Sequence, residues 1–250
     1  MPDFQAGRPP YTSDGGGWAR GPDGSLRVQR EARANLWVTV PRRPMPDGGF
    51  PTAVFVRTGG GGDRPLVDRG PRSEAGGPAD VPGTGPALHF ARAGFAGISV
   101  DGPLGGLRNP DGWDEQFAIF NVSNLEALRD NVRQSALELI LLPRVIEDLA
   151  VDAERCPGFE APEGRARFAA TELALMGHSM GATIAPLAAA LEPRYRALIL
   201  SGAGASWIRN VIHKESPLAV RPAAEALLGY RGRVLQPHDP ALALIQWAGE

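Results

Sequence analysis

The stretch Glu172–Leu191, ELALMGHSMGATIAPLAAAL, constrains the fold more than any other part of the chain. A short apolar run, Leu173–Met176, ends in Gly177-His178-Ser179-Met180-Gly181, and a small-residue helical pattern, Met180–Leu191, follows. A strand that turns at once into a helix forces the residue at the turn into a strained backbone conformation. The positions two before and two after it must be small, or strand and helix collide. Gly177 and Gly181 meet that need. Ser179 is then held above the sheet edge at a helix N-terminus, where free N–H groups and the helix dipole favour developing negative charge. Gly-x-Ser-x-Gly alone is a weak pattern; between a strand and a helix it points to a nucleophilic serine. The competing reading is that Ser179 merely caps the helix that starts at Met180.

A second feature is Arg57-Thr58-Gly59-Gly60-Gly61-Gly62, which follows the apolar run Ala53–Val56. Glycines after a buried strand let the backbone approach a ligand closely and aim an N–H at it. In acyl transfer two such donors hold the tetrahedral oxyanion. The expected donors are the amide of Met180, directly after the serine, and that of Gly60. A flexible turn or a phosphate-binding loop would use similar glycines. A phosphate loop needs Gly-Lys-Ser/Thr, however, and the one lysine of the chain is Lys214.

Strand and helix patterns alternate along the rest of the chain. Residues 1–24 have no period and are expected to be an irregular leader. Leu26/Val28 and Leu36/Val38/Val40 alternate as strands do. Arg64 to Gly85 reads as a long Gly/Pro-rich loop, and a short helix near Leu88–Ala91 stops at Gly94. Phe95–Val100 reads as a buried strand, and a loop to Asn121 carries Trp113, Phe117 and Phe120. From Leu125 to about Asp152 the pattern is helical, with Leu128, Val132, Ala136, Leu139 and Ile140 on one face and Pro143 expected to kink or divide it. Ala197–Leu200 reads as a further strand, and helices are expected at Trp207–His213, Pro222–Leu228 and Pro240–Ala248. Short, apolar, non-alternating strands between helices predict an α/β fold with a mostly parallel sheet covered by helices on both faces. Residues 25–205 form its core in this reading, and 206–250 a helical, cap-like excursion.

Together these residues resemble the α/β-hydrolase family, from about Leu36 onward. The tract GISVDGPLGGLRN, then DEQFAIFN and LRDNVRQSALEL, is similar to bacterial esterase/lipase-like members, some of them exported. The resemblance implies a serine hydrolase of carboxylic esters that forms an acyl-enzyme at Ser179, without metal or organic cofactor, on a small-molecule or lipid-like ester. The same fold serves peptidases and acyltransferases. Family members usually carry His-Gly where this chain has Thr58-Gly59, which removes an imidazole that braces the oxyanion loop.

A serine hydroxyl needs a base within hydrogen-bond reach. In this fold the order along the chain is Ser, then Asp or Glu, then His. Of the four histidines, His89 is expected to be packed or exposed, and His178 to shape the turn beside the serine. His213 lies in an expected helix, and His238 precedes Asp239-Pro240, which reads as a helix start. His213 and His238 remain candidate bases and Asp239 a candidate acid, but no histidine follows Asp239. The simpler expectation is a C-terminally truncated member, inert alone, whose acid and base lie past Glu250. A non-catalytic, hydrolase-like binding domain is the alternative. Phe117, Phe120, Trp207 and Leu218 are candidates for an acyl pocket or for ordinary packing.

Composition narrows the partners. The net charge of -2 and scattered arginines give no polyanion-binding stripe, so no nucleic acid is expected. The single cysteine, Cys156, excludes an internal disulfide. No apolar run reaches the ~18 residues of a membrane span. The N-terminus lacks the charged-then-apolar pattern of a signal peptide. The bacterial resemblance implies the cell envelope or secretion if a segment precedes Met1, and the cytoplasm otherwise. Nothing in the sequence sets the oligomeric state.

Overall fold

The computed structural model describes residues 1–59, 64–74, 77–204, 206–216 and 219–249. In chain order it contains β1 (Pro2–Asp3), β2 (Arg30–Glu31), β3 (Leu36–Thr39), β4 (Phe50–Val56), α1 (Pro65–Asp68), α2 (Pro86–Ala93), β5 (Ala96–Val100), α3 (Glu115–Ile119) and α4 (Leu125–Glu147). There follow β6 (Ala150–Asp152), β7 (Arg165–His178), α5 (Met180–Leu191), β8 (Tyr195–Ser201), α6 (Trp207–His213), α7 (Val220–Leu227) and α8 (Pro240–Gly249). The fold is α/β. β5, β4, β7 and β8 run parallel in that spatial order, β3 pairs antiparallel with β5, and β6 pairs antiparallel with the start of β7.

β4 and β5 are apolar almost throughout because both their faces are covered. Phe50, Val54, Val56, Ile98 and Leu175 pack in the main core with Leu139 and Leu142 of α4 and Ile184 and Ala185 of α5. Phe55 and Met176 point the other way, toward Leu66, Ala87 and Phe90 of α1 and α2. A third cluster, with Val211, Ile212, Leu235, Leu242 and Ile245, joins α6 and α8 and reaches Leu125 at the start of α4. The sheet ends at β8, whose Leu198, Ile199 and Leu200 are 41, 49 and 40% exposed, as expected of an outer strand with little over it.

Several elements depart from the expectations. The loop from Arg64 to Gly85 contains α1, and the loop before Asn121 contains α3. The helical pattern expected to reach Asp152 stops at Glu147, and residues 150–152 become β6 because they find a partner in residues 165–167. β7 is longer than the apolar run that announced it; its first residues alternate exposed and buried, as a strand half-covered by β6 and the core requires.

Pro143 does not divide α4, which runs unbroken for 23 residues. Proline leaves the carbonyl four residues earlier without its helical donor. That carbonyl is Leu139 O, and the buried Tyr195 hydroxyl donates to it at 2.6 Å. Burial pushes the Tyr195 phenol well above its ordinary pKa, with the Glu192 carboxylate adding to the effect, so the hydroxyl keeps the proton it donates.

Residues 1–24, expected to be irregular, hold little regular structure beyond β1, yet they are fastened along α4. Gln134 Nε2 donates to Pro2 O at 2.8 Å, Gln5 Nε2 to Asn131 Oδ1 at 2.8 Å, and Trp18 N to Asp130 Oδ2 at 2.8 Å. Asp130, Asn131, Gln134, Ser135 and Glu138 are consequently buried. The polar side of an amphipathic helix is thus an interior face here, satisfied in part by the N-terminal segment and in part by Arg108, the carbonyls of Ala118 and Ile119 and α4 itself, as buried polar groups must be.

Candidate active site

The turn at Ser179 has the strain that its neighbours imply. Ser179 adopts φ 53° and ψ -115°, a region that L side chains rarely occupy. A Cβ on Gly177 would stand 2.3 Å from Gly181 O, and one on Gly181 would stand 2.7 Å from Arg57 O and 2.8 Å from Val56 O. Only hydrogen fits at either position. Ser179 N donates to Ser201 O at 2.9 Å, which ties the turn to the end of β8, and Ser179 O accepts from Ala182 N at 2.9 Å in the first turn of α5. Met180 is the first residue of α5, so its amide has no acceptor within the helix.

The end of β4 runs beside this turn, as the contacts of Gly181 with Val56 and Arg57 require. The chain passes from β4 to β5 on one side and reaches β7 on the other, so the crevice at the carboxyl ends of β4 and β7 is where α/β sheets place ligands. Thr58 is fully buried, and its Oγ1 has no hydrogen-bond partner among the described residues. Gly60, the expected second oxyanion donor, lies outside the described residues, as do Gly61 and Gly62.

A brace that the sequence did not disclose stands in this region. The buried Arg57 guanidinium donates to Pro103 O and, at 2.9 Å, to Glu115 Oε2. Its side chain crosses Gly102 and Gly105 so closely that a Cβ on either would come within 2.7 Å of it. Burial works against both charges of the pair, holding Glu115 above the usual carboxylate range and Arg57 below the usual guanidinium range; their attraction offsets part of this. Gly-Pro-Leu-Gly-Gly after a buried strand was the available signal, since glycines there mark a close approach.

His178 is paired with Ser201 at the end of β8. Its Nδ1 lies 3.0 Å from Ser201 Oγ. Burial holds its pKa below the ordinary value, and the positive charge of Arg69 acts in the same direction. Arg69 in turn donates to Gly59 O at 3.3 Å. His89, His213 and His238 are exposed. The Asp239 carboxylate accepts from Gln236 N at 2.6 Å and from the Tyr230 hydroxyl at 2.9 Å, so it holds the turn before α8. Among the described residues, no histidine or carboxylate is hydrogen-bonded to Ser179 Oγ. The structure therefore assembles the serine, the Met180 amide and the end of β4, and does not bring His213, His238 or Asp239 to them.

Of the apolar candidates, Phe120 packs edge-on against Trp207 with ring centroids 5.0 Å apart, and Phe117 is 63% exposed. Leu218 lies outside the described residues. A cavity of about 450 Å³ lies not at Ser179 but between the N-terminal segment, residues 30–33 and residues 103–108. Among the described residues, no group of His, Cys, Asp and Glu is arranged to hold a metal ion, and no helix is long and apolar enough to cross a membrane.

No protein-family model matches the chain, and no curated protein matches its sequence. Among solved structures it is similar to acetyl xylan esterase 1 from Thermoanaerobacterium sp. JW/SL YS485, at 17% identity and a TM-score of 0.48, over 90% of this chain and 60% of that one. It is also similar to a cold-adapted esterase from an Arctic intertidal metagenomic library, at 17% identity and a TM-score of 0.35, over 71% of this chain and 56% of that one. The chain thus spans about 60% of the length of the acetyl xylan esterase.

Proposed function

We propose that this chain is the nucleophile-bearing part of an α/β-hydrolase that cleaves carboxylic esters. The observation that carries the reading is the backbone of Ser179, φ 53° and ψ -115°, at a strand-to-helix turn that admits only glycine on either side. A helix cap needs no such strain, since capping residues ordinarily sit in extended conformation. Strain of this kind costs about 1–3 kcal/mol and persists where the exposed side chain has a use.

In the proposed reaction Ser179 Oγ attacks the acyl carbon while a base takes its proton. The carbonyl oxygen becomes an oxyanion held by the Met180 and Gly60 amides. Losing one such donor typically costs about 3 kcal/mol. The C–O bond then breaks, the alcohol leaves with the proton, and water hydrolyses the acyl-enzyme to the acid. Among the described residues no histidine or carboxylate is bonded to Ser179 as that base, so this chain alone is expected to react weakly with serine-directed probes. A fold of this kind also supports peptidase and acyltransferase chemistry, and a carboxylic ester is the substrate preferred here on the sequence resemblance.

A second reading, a binding domain with an idle serine, is favoured by one observation: no described histidine or carboxylate is hydrogen-bonded to Ser179. A fluorophosphonate probe separates the two. The coding region is extended past the Glu250 codon in the source DNA, and the longer product and this chain are both treated. Labelling of the longer product that disappears in Ser179→Ala, with little labelling of this chain, supports the hydrolase. An unlabelled Ser179 in every product sinks it.

A further inference from the structure

The cavity of about 450 Å³ between the N-terminal segment and the loop after β5 is large enough for a small ligand and is separate from the Ser179 turn. Its polar lining holds two sets of paired groups, with Asp3, Tyr11 and Glu138 buried and Arg30 about one-third exposed. Arg30 Nε donates to Asp3 Oδ2 at 2.8 Å and its Nη2 to the Tyr11 hydroxyl at 2.8 Å. Arg108 gives only Nη1 to Glu138, at 2.8 and 2.7 Å from the two carboxylate oxygens. The Nε and Nη2 donors of Arg108, whose side chain is only 9% exposed, have no acceptor among the described residues. The Tyr11 hydroxyl accepts from Arg30, and its own proton has no acceptor among the described residues. The rest of the lining includes apolar residues, Pro9, Pro103, Leu104 and Leu107.

We propose that this cavity binds a small organic carboxylate, its two oxygens on the open edge of Arg108 and on the Tyr11 hydroxyl, and its hydrocarbon part against Leu104 and Leu107. The Nε and Nη2 hydrogens of a guanidinium form a parallel pair that matches a carboxylate. Arg30 and Arg108 are each balanced by one carboxylate, Asp3 and Glu138, so a ligand anion meets no uncompensated negative charge. Burial and the neighbouring Asp3 push the Tyr11 phenol well above its ordinary pKa, so it stays a donor. The apolar part of the lining favours an acid with a tail over an inorganic anion. The proposal does not depend on Ser179 being catalytic.

The chain has three tyrosines, Tyr11, Tyr195 and Tyr230, so ring-labelled tyrosine gives three separable NMR signals. Titration of the intact chain with hexanoate is expected to move the Tyr11 signal saturably and leave Tyr230 in place. Hexan-1-ol and inorganic phosphate should bind about tenfold more weakly or less, since each lacks half of the recognised chemistry. Leu107→Trp, at a side chain 61% exposed and therefore tolerant of change, should fill the mouth and abolish the shift. The proposal is overturned if hexanoate gives no saturable Tyr11 shift, if hexan-1-ol matches it, or if Leu107→Trp leaves it unchanged. The comparison of hexanoate with hexan-1-ol uses the natural sequence and stands whether or not the variant folds.

Discussion

Gly181→Ala is the substitution for which helix propensity and tertiary packing disagree about the sign. Gly181 is the second residue of α5, and glycine within a helix is ordinarily about 1 kcal/mol worse than alanine, so propensity alone favours the change. The added Cβ, however, would stand 2.7 Å from Arg57 O and 2.8 Å from Val56 O, where ordinary contacts begin at 3.4 Å. Strand and helix must therefore part by roughly 0.7 Å, and the obstructing atoms are backbone that cannot rotate away. Overpacking of this kind costs about 1–3 kcal/mol, and opposed backbone places it at the upper end. The net expectation is a loss of about 2 kcal/mol after the propensity gain. Urea unfolding should read this as a midpoint lowered by about 0.8 M, for a slope near 2.5 kcal/mol per M. Gly48→Ala is the control: nothing lies within 4 Å of its added Cβ, and the change should be neutral or stabilise by up to about 1 kcal/mol. A midpoint for Gly181→Ala equal to or above that of the unaltered chain would refute the packing argument.

Ser179→Gly should raise stability by about 1 kcal/mol, because glycine accepts φ 53° without strain, and it should remove all labelling by a serine-directed probe; a stability loss contradicts the elbow geometry. Tyr195→Phe should cost about 1–3 kcal/mol by orphaning Leu139 O above Pro143, and unchanged thermal unfolding would show that the bond is idle. His178 predicts a pH dependence whose sign follows from its lowered pKa. Between the folded value and the ordinary value of 6.5, the unfolded chain binds more protons, so stability is present above about pH 6.5 and is lost as pH falls through the folded pKa. Urea midpoints measured at pH 7.5 and 5 should therefore differ less in His178→Gln than in the unaltered chain. Asp239→Ala should lower the melting temperature, since two hydrogen bonds at the turn before α8 disappear, while leaving the reactivity of Ser179 unaltered; altered reactivity would bring Asp239 back as the acid.

What could be read from the amino-acid order was what depends on a few adjacent residues. The strained turn at Ser179 was legible because its requirements are a residue between two positions that tolerate only hydrogen, flanked by a strand and a helix. The end of α2 at Gly94 was legible for the same reason, since φ 89° there favours glycine. The alternation of short apolar strands with helices set the α/β class because strands covered on both faces need no polar alternation. Pairings across long stretches of sequence were decided only by the tertiary structure. The polar face of α4 is interior because residues 1–20 lie on it, with Phe4 bonded to Gln134 across 130 positions. Pro143 sits in an unbroken helix because Tyr195, 56 positions beyond Leu139, supplies the missing donor. Arg57 with Glu115 and Arg108 with Glu138 have no local signature, since any charged residue in a polar sequence reads as exposed until its partner is placed. Local backbone preference and side-chain size act within a turn or two of the chain; the burial of a charge, the rescue of a carbonyl and the shape of a cavity are set by whatever the fold brings alongside.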